Sequence, residues 1–465
     1  MALPERLRLI RLRDVIDRVA RQSPARLALA AFAVVIAIFS ALLMLPQATS
    51  SGHSAPAVDA IFTATSAVSV TGLTVVPTGT YWSTFGHVLI LLGIKVGGLG
   101  VMTLASILGL AVSRRIGLTQ RILAASETKT TTTRLGEVGS LIRIVIVTST
   151  SLELVLIALL TPRFLVLHET VGEALWHSSF YAVSAFNNAG FVPTEAGLVP
   201  HHSDWLLLLP IIIGVFVGSL GFPVILNVLR VWKQRRRGRW AHLSLHSKLT
   251  LVTSAVLVLI GGILFLLTEW SNDGTIGHMS TSGKLLNGLM MGVMPRSGGL
   301  ATFDMAQADE ATWLITDSLM FVGGGSASTA GGIKVTTLAV MLIAIIAEAR
   351  GDRDMEVFGR RIPRDTLRVG VAVVFIGATT LLISSILLLE ISDSSLDRVL
   401  FEAISAFGTV GLSTGLSAEL PTLGKYVLVV LMFVGRTGTM TLAAALAIRD
   451  RRRVIRLPEE RPIIG

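Results

Sequence analysis

The stretch that decides the fold is Phe407-Gly408-Thr409-Val410-Gly411-Leu412-Ser413-Thr414. Ahead of it, residues 396–407 form an apolar segment too short to cross a bilayer; behind it, residues 426–447 are long enough. A half-length helix, a Thr-Val-Gly turn and a membrane helix make a loop that can line a pore. The backbone carbonyls of such a turn take the place of an ion's hydration water. Irregular backbone at membrane depth is tolerated only where protein covers it or where it lines a wet cavity.

The same order returns three more times along the chain. Its 465 residues are 52% hydrophobic and 15% charged, with a mean hydropathy of +0.71. A soluble domain of that size needs more surface charge, so the chain reads as an all-α polytopic membrane protein. Taking about 20 residues per crossing, spans fall at 27–46, 85–112, 138–160, 205–231, 249–267, 313–347, 369–389 and 426–447. Between the members of each pair lies a shorter apolar segment, at 59–70, 173–187, 282–293 and 396–407. Eight transmembrane helices and four half-length pore helices are therefore expected, in four parallel repeats of span, pore loop and span. The repeats cover 27–112, 137–231, 249–348 and 369–448. Around them lie a basic segment, 1–26, suited to an interfacial helix, the loops 113–136, 232–248 and 349–368, and a tail, 449–465.

The turns after the half-length helices align as Val70-Thr71-Gly72, Asn188-Ala189-Gly190, Ser297-Gly298-Gly299 and Thr409-Val410-Gly411. Their last glycines are 118, 109 and 112 residues apart. Four units of one orientation fit around one pseudo-fourfold axis, as the subunits of a tetramer do. Each turn needs a residue free to take φ > 0 so that its carbonyls face the axis, and glycine does this without strain. Asp59, Glu173, Ser282 and Ser395 with Asp397 lie near the starts of the half-length helices and are cap types. The helix C-termini, with their partial negative charge, then point at the turns and favour a cation there. One such loop alone reads more readily as a packing turn; four in matching context read as a filter, with K⁺ at the carbonyls.

Charge gives the orientation. Of the 40 Lys and Arg, 31 fall in the five segments assigned to one side, and only Arg163, Lys284, Arg296, Arg398 and Lys425 fall in the alternate ones. Both termini are therefore expected in the cytoplasm. The outer segments carry 16 acidic residues, a vestibule that concentrates cations. The basic runs read as topology signals and lipid-headgroup contacts rather than as a nucleic-acid surface. The chain has no cysteine, which excludes disulfides and thiolate metal sites. His87, His177 and His278 show no metal spacing and there is no serine nucleophile elbow, so an enzyme is not expected and no organic cofactor is called for. A secondary transporter is the nearer rival, but it would show inverted repeats.

Two features inside the spans point to a gate. Val322-Gly323-Gly324-Gly325-Ser326-Ala327-Ser328-Thr329-Ala330-Gly331-Gly332-Ile333-Lys334 interrupts the span 313–347. Each of its glycines costs a continuous helix about 1 kcal/mol relative to alanine. Close helix packing by small residues is the plain reading; a mobile loop that blocks the pore is the sharper one. Arg436, in Val434-Gly435-Arg436-Thr437-Gly438, lies mid-span, where an ionised group costs about 3 kcal/mol or more and is a functional candidate. It is expected to face the pore beside that loop. For Lys95 and Lys334, snorkelling and a pore-facing role are equally open. For Arg143 and Glu153, interfacial anchoring and an intersubunit polar contact are.

With these residues in view, the chain resembles the membrane subunit of the Ktr/Trk/HKT superfamily of potassium transporters. It is most similar to the bacterial KtrB type, since the first repeat begins at residue 27 with no additional hairpin ahead of it. The resemblance covers residues 27–465 and rests on the four ordered turns. It implies K⁺ uptake across the bacterial cytoplasmic membrane through one pore per subunit. It also implies a homodimer, a cytosolic KtrA-type regulatory ring binding ATP or ADP, and Na⁺ as a possible activator. It places the filter glycines at Gly72, Gly190, Gly299 and Gly411, a gate at residues 323–334 with Arg436, and the carboxy-terminal residues at the dimer interface. In plant relatives a serine at the first filter position goes with Na⁺ permeation, so Gly72 implies K⁺. A Trk-type or Na⁺/K⁺-coupled transporter is the alternative within the resemblance.

Overall fold

The computed structural model describes residues 24–115, 136–167, 169–238 and 240–438. The expectations for residues 1–23, for 116–135 and for everything from 439 onward lie outside the described residues.

The chain is predominantly helical. Helices α1 (Pro24–Leu43), α2 (Ala57–Ser69) and α3 (Thr84–Arg115) come first. Then follow α4 (Gly136–Val166), α5 (Val171–Asn187), α6 (Trp205–Leu220) and α7 (Phe222–Arg236). Next are α8 (Leu245–Glu269), α9 (Thr281–Val293), α10 (Glu310–Phe321) and α11 (Val335–Arg350). A small antiparallel hairpin of β1 (Met355–Val357) and β2 (Arg360–Ile362) leads into α12 (Arg364–Ile391). Among the described residues α13 (Leu396–Gly408) and α14 (Thr422–Phe433) come last, and α14 passes into a π-helical turn at Val434–Gly438.

Among the described residues three helical stretches are long and apolar enough to cross a membrane: Ile142–Val166, Leu245–Glu269 and Arg364–Ile391. Their outward faces are apolar, with Leu154 and Leu159 on α4, Leu259 and Leu267 on α8, and Phe375 and Leu382 on α12 all exposed. Apolar side chains facing outward are stable only against lipid or another apolar surface. The expected span 205–231 is not one rod. The chain turns by 101° between α6 and α7 at Gly221, which has φ 91, and Pro223 starts the new helix.

The half-length helices α2, α5, α9 and α13 each nest against the long helices of their own stretch. Each also packs on the helix that closes the preceding stretch: α5 on α3, α9 on α6, α13 on α10, and α2 on α14. The last contact joins the final described helix to the first half-length one, so the packing of the described helices closes on itself. Lys425 on α14 reinforces it with an ion pair to Asp59 on α2 at 3.4 Å.

Capping differs in detail from the sequence reading. Thr170 and Glu173 form a full capping box on α5. Helix α9 is capped by Ser280, whose side chain accepts from the Gly283 amide; Ser282 instead accepts from Trp205 Nε1 at 2.9 Å. The start of α2 has no side-chain cap, and Asp59 serves the ion pair.

Glycines set the distance between half-length and long helices. A Cβ on Gly97, Gly218 or Gly435 would overlap the carbonyl oxygen of Val68, Phe186 or Phe407 respectively. Each of those carbonyls stands four residues before a turn glycine. Gly218→Ala is therefore expected to destabilise the fold by about 1–3 kcal/mol through overpacking. Gly172→Ala, on α5 with no atom within 4 Å of the added Cβ, is expected to be neutral or stabilising. Thermal midpoints of the two variants purified in detergent check this pair.

Candidate functional site at the four turns

Helices α2, α5 and α13 end in the same way. Val70, Asn188 and Thr409 are left-handed C-caps with φ 56, 60 and 48. The amide after each cap bonds the carbonyl five residues back: Thr71 to Ser66, Ala189 to Ser184 and Val410 to Ser405, at 2.8, 2.8 and 2.9 Å. These are Schellman closures, which satisfy the last helix carbonyls. A second layer of serine hydroxyls continues them. Ser66 Oγ accepts from the Gly72 amide at 3.0 Å, and Ser405 Oγ from the Gly411 amide at 3.1 Å. Ser184 Oγ instead donates to the Phe191 carbonyl at 2.8 Å.

The third turn is built differently. Its left-handed residue is Ser297, φ 80, and the amides of Gly298 and Gly299 both reach back to the Met294 carbonyl. All four turn glycines have positive φ: 92, 70, 68 and 96 for Gly72, Gly190, Gly299 and Gly411. In every turn a left-handed residue thus stands two before the glycine. Alternating backbone handedness of this kind turns successive carbonyls toward one side. Val70 and Thr409 are β-branched, for which φ > 0 is a steric outlier costing about 1–3 kcal/mol.

The four turns meet. A Cβ on Gly72 would lie 3.0 Å from Gly190 Cα, one on Gly190 3.1 Å from Gly299 Cα, one on Gly299 3.2 Å from Gly411 Cα, and one on Gly411 3.1 Å from Gly72 Cα. The four positions form a closed ring in chain order. The carbonyls of Thr71, Ala189 and Val410 stand at the ring, each where a neighbouring glycine's Cβ would be. Val70, Thr71, Asn188, Ala189, Ser297, Thr409 and Val410 are all fully buried.

The segment 322–334 lies against this ring. Val322 and Ile333 form a short parallel bridge, so the loop leaves and returns at one point. Inside it, Ser328 Oγ donates to the Gly325 carbonyl at 2.6 Å and accepts from the Ala330 amide at 3.2 Å. Thr329 Oγ1 donates to Asn188 Oδ1 at 2.8 Å in the second turn. The Gly331 amide donates to Ser297 Oγ at 3.3 Å, and Ser297 Oγ donates to the Thr409 carbonyl at 2.6 Å. Gly332, φ 63, passes Gly408. Gly323, Gly324 and Gly325 cross the carbonyls of Gly331, Ser219 and Leu220 too closely for any side chain. Ser326 and Ala327 reach toward the α6–α7 bend, where the Phe222 amide donates to the Ala327 carbonyl at 3.2 Å. Lys334 Nζ donates to the carbonyls of Ala330 at 2.7 Å and Gly331 at 3.2 Å, so it turns back on the loop. Arg436, buried, donates through Nη1 to the Thr329 carbonyl. Every residue singled out for the turns and the loop is thus in one connected cluster.

A family model described as TrkH, cation transport protein, matches residues 22–453. The chain belongs to this family. It is 36% identical over 460 residues to the Ktr system potassium uptake protein B of Bacillus subtilis (strain 168), covering 97% of this chain and 99% of that protein. It is 34% identical to the potassium/sodium uptake protein NtpJ of Enterococcus hirae, covering 96% of this chain and 98% of that one. The crystal structure of the potassium transporter TrkH from Vibrio parahaemolyticus superposes with a TM-score of 0.68 at 16% identity, over 90% of this chain and 83% of that one. The resemblance read from the four turns is borne out. The TrkH family is one of ion transporters rather than enzymes.

In this TrkH-family chain two of the open charge assignments take a definite form. Lys95 on α3 ion-pairs with Glu153 on α4 and donates to Ser149 Oγ at 3.0 Å. Glu153 also accepts from Asn187 Nδ2 at 2.9 Å, at the end of α5. Lys95 and Glu153 therefore brace the back of the second turn; Lys95 is not a counterpart of Arg436. Of the cations outside the basic runs, Arg163, Arg398 and Lys425 pair with Asp204, Glu419 and Asp59. Arg296 is buried with no hydrogen-bond partner and stacks at 5.9 Å over the Phe216 ring.

Sequence reasoning missed the serines Ser66, Ser184 and Ser405. The signal was there, because each stands six residues before a turn glycine. Breaking the Lys95–Glu153 pair from one side is expected to cost about 3 kcal/mol, the low end for a buried pair, since 23% of the Lys95 side chain stays exposed. Glu153→Leu should show that loss, and Lys95→Met with Glu153→Leu should recover most of it. Thermal unfolding of the two proteins in detergent checks the difference.

Proposed function

We propose that this chain is the membrane subunit of a bacterial potassium uptake system, and that K⁺ crosses the cytoplasmic membrane through the ring of the four turns. The observation that carries the reading is the closed contact of Gly72, Gly190, Gly299 and Gly411 at the ends of four half-length helices. Buried carbonyls collected at one ring, with helix C-termini behind them, make a site for a dehydrated monovalent cation. The names of the two sequence relatives above, a potassium uptake protein and a potassium/sodium uptake protein, support K⁺ as the cargo.

In this reading 27–112, 137–231, 249–348 and 369–448 are four repeats about a pseudo-fourfold axis. Helices α1 and α3, α4 and α6, α8 and α10 with α11, and α12 and α14 supply the eight spans, while α2, α5, α9 and α13 are the pore helices. Val70 to Gly72, Asn188 to Gly190, Ser297 to Gly299 and Thr409 to Gly411 hold K⁺ by their carbonyls. Gly323 to Gly332 close the pore beneath them, with Lys334 and Arg436 fixing the loop from two sides. Both termini face the cytoplasm. The Ktr designation of the relatives supports a regulatory partner, which we assign to a cytosolic nucleotide-binding ring of the KtrA type, acting on a homodimer of this chain. Na⁺ is assigned as an activator of the assembled system rather than as its main cargo.

Radioactive Rb⁺ uptake into proteoliposomes holding this chain is the direct test. Uptake should be displaced by K⁺ well before Na⁺, and Gly411→Ser should bring the two closer together. Equal displacement in the unaltered chain would end the K⁺ assignment. In the same vesicles, shortening the loop across residues 324–331 should raise basal flux severalfold, and Arg436→Ala should raise it in the same direction. Unchanged flux in both would leave the loop as a packing element.

A further inference from the structure

We propose that Ser297 is a positioning residue that makes the ion affinity of the turns depend on where the 322–334 loop lies. The inference rests on reading the turns as the filter and the loop as its gate. Ser297 is fully buried and stands in the left-handed region at the third turn, φ 80. Its hydroxyl touches three separate pieces of chain. It belongs to the third turn, donates to the Thr409 carbonyl of the fourth turn at 2.6 Å, and accepts from the Gly331 amide of the loop at 3.3 Å. Gly331 is held there by shape as well. A Cβ on it would overlap Thr409 Oγ1 and lie 3.0 Å from the Gly408 carbonyl oxygen.

A serine hydroxyl has one proton and two lone pairs. While the Gly331 amide occupies a lone pair, the rotor is held with its proton on the Thr409 carbonyl. Thr409 is the residue two before Gly411, the level that Val70, Asn188 and Ser297 occupy in the other turns. A carbonyl that accepts a hydroxyl proton binds a cation less well, because a positive hydrogen already sits on its lone-pair side. With the loop seated, one of four carbonyls at that level is therefore engaged. When the loop leaves, the Gly331 amide leaves with it. The Ser297 proton then turns to water, and the Thr409 carbonyl is free for the ion. Closure of the loop and weakening of the innermost ion level are thus one event. A second link follows the same logic without sharing atoms: Thr329 Oγ1 holds Asn188 Oδ1 at 2.8 Å, so the loop also grips the second turn.

The test is the equilibrium K⁺ affinity of the full chain in detergent, read as the K⁺ concentration that half-saturates its thermal stabilisation. Four proteins are compared: the unaltered chain, Ser297→Gly, the chain shortened across 324–331, and the combination. Glycine suits the left-handed backbone and removes only the hydroxyl. Shortening alone should tighten K⁺ by about fivefold, the equivalent of one neutral hydrogen bond. Ser297→Gly should do the same, and the combination should add nothing further. Should Ser297→Gly not fold, Ser297→Cys, whose thiol is a weak donor, takes its place in the same comparison. A purely structural serine would lower the midpoint without K⁺ and leave the half-saturating concentration where it was, which overturns the proposal. So does an effect of shortening that persists in full without the hydroxyl. Rb⁺ flux through the shortened chain is read separately; if it is unchanged the gate reading fails, while the affinity comparison still decides the role of Ser297.

Discussion

The hydrogen bonds that the Gly72 amide donates to Ser66 Oγ and the Gly411 amide donates to Ser405 Oγ hold backbone that would otherwise relax. Val70 and Thr409 sit at positive φ against their own Cβ branches. Free chain would give up that strain by rotating the cap residue back, and the carbonyls after it would swing away. The Schellman closures and the serine hydroxyls oppose that rotation from inside the helix end. Contact with the neighbouring turns opposes it from outside, since each glycine has the next one within van der Waals reach. Strain persists only where its surroundings over-determine it, and here two independent sets of contacts do so.

The third turn lacks this arrangement, and the difference is informative. Six residues before Gly299 stands Val293, which has no hydroxyl to offer. Its turn is tied outward instead, through Ser297 to Thr409 and to the loop residue Gly331. The turn with the weakest internal support is thus tied to both the fourth turn and the loop through one hydroxyl. Arg296, beside it, is buried with no hydrogen-bond partner, whereas Arg163, Arg398 and Lys425 each have a carboxylate. A buried cation without a counter-charge is costly, and it stands between α9 and α10, ahead of the 322–334 loop.

The turns were legible in the sequence because glycine at a fixed offset from a half-length apolar segment is a backbone signal, and backbone signals survive divergence of side chains. The loop was legible for the same reason. What escaped were contacts made by ordinary residues. Ser66, Ser184 and Ser405 read as small polar residues in apolar helices until their hydroxyls are seen on the turn. A pore-facing role stayed open for Lys95 because it, like Arg436, lies among glycines, but three residues of register separate the two. The motif Val-Gly repeats at Val96-Gly97, Val217-Gly218, Val322-Gly323 and Val434-Gly435, and Arg436 aligns with Gly98, Ser219 and Gly324. Lys95 falls before that motif, on the side of α3 that meets Glu153.

That same motif begins four different outcomes, and the residues after it explain them. Helix α3 runs on through Gly97 and Gly98 as a continuous helix. After Gly218 the chain reaches Gly221, takes φ 91 and restarts at Pro223 in a new direction. After Gly323 two more glycines and Ser326 give no helix to continue, and the chain opens into the loop. After Gly435 the backbone widens into a π-turn, a form common where a helix accommodates a functional residue. The widening sets Arg436 against the Thr329 carbonyl of the loop. Two of the four long helices are therefore broken after this motif and a third is widened, and the α6–α7 bend, the loop and the π-turn touch one another through the Phe222 amide on Ala327 and Arg436 on Thr329. Small residues at equivalent places leave each helix free to change course; the residues that follow decide which helix continues, which bends, which opens into a loop and which widens.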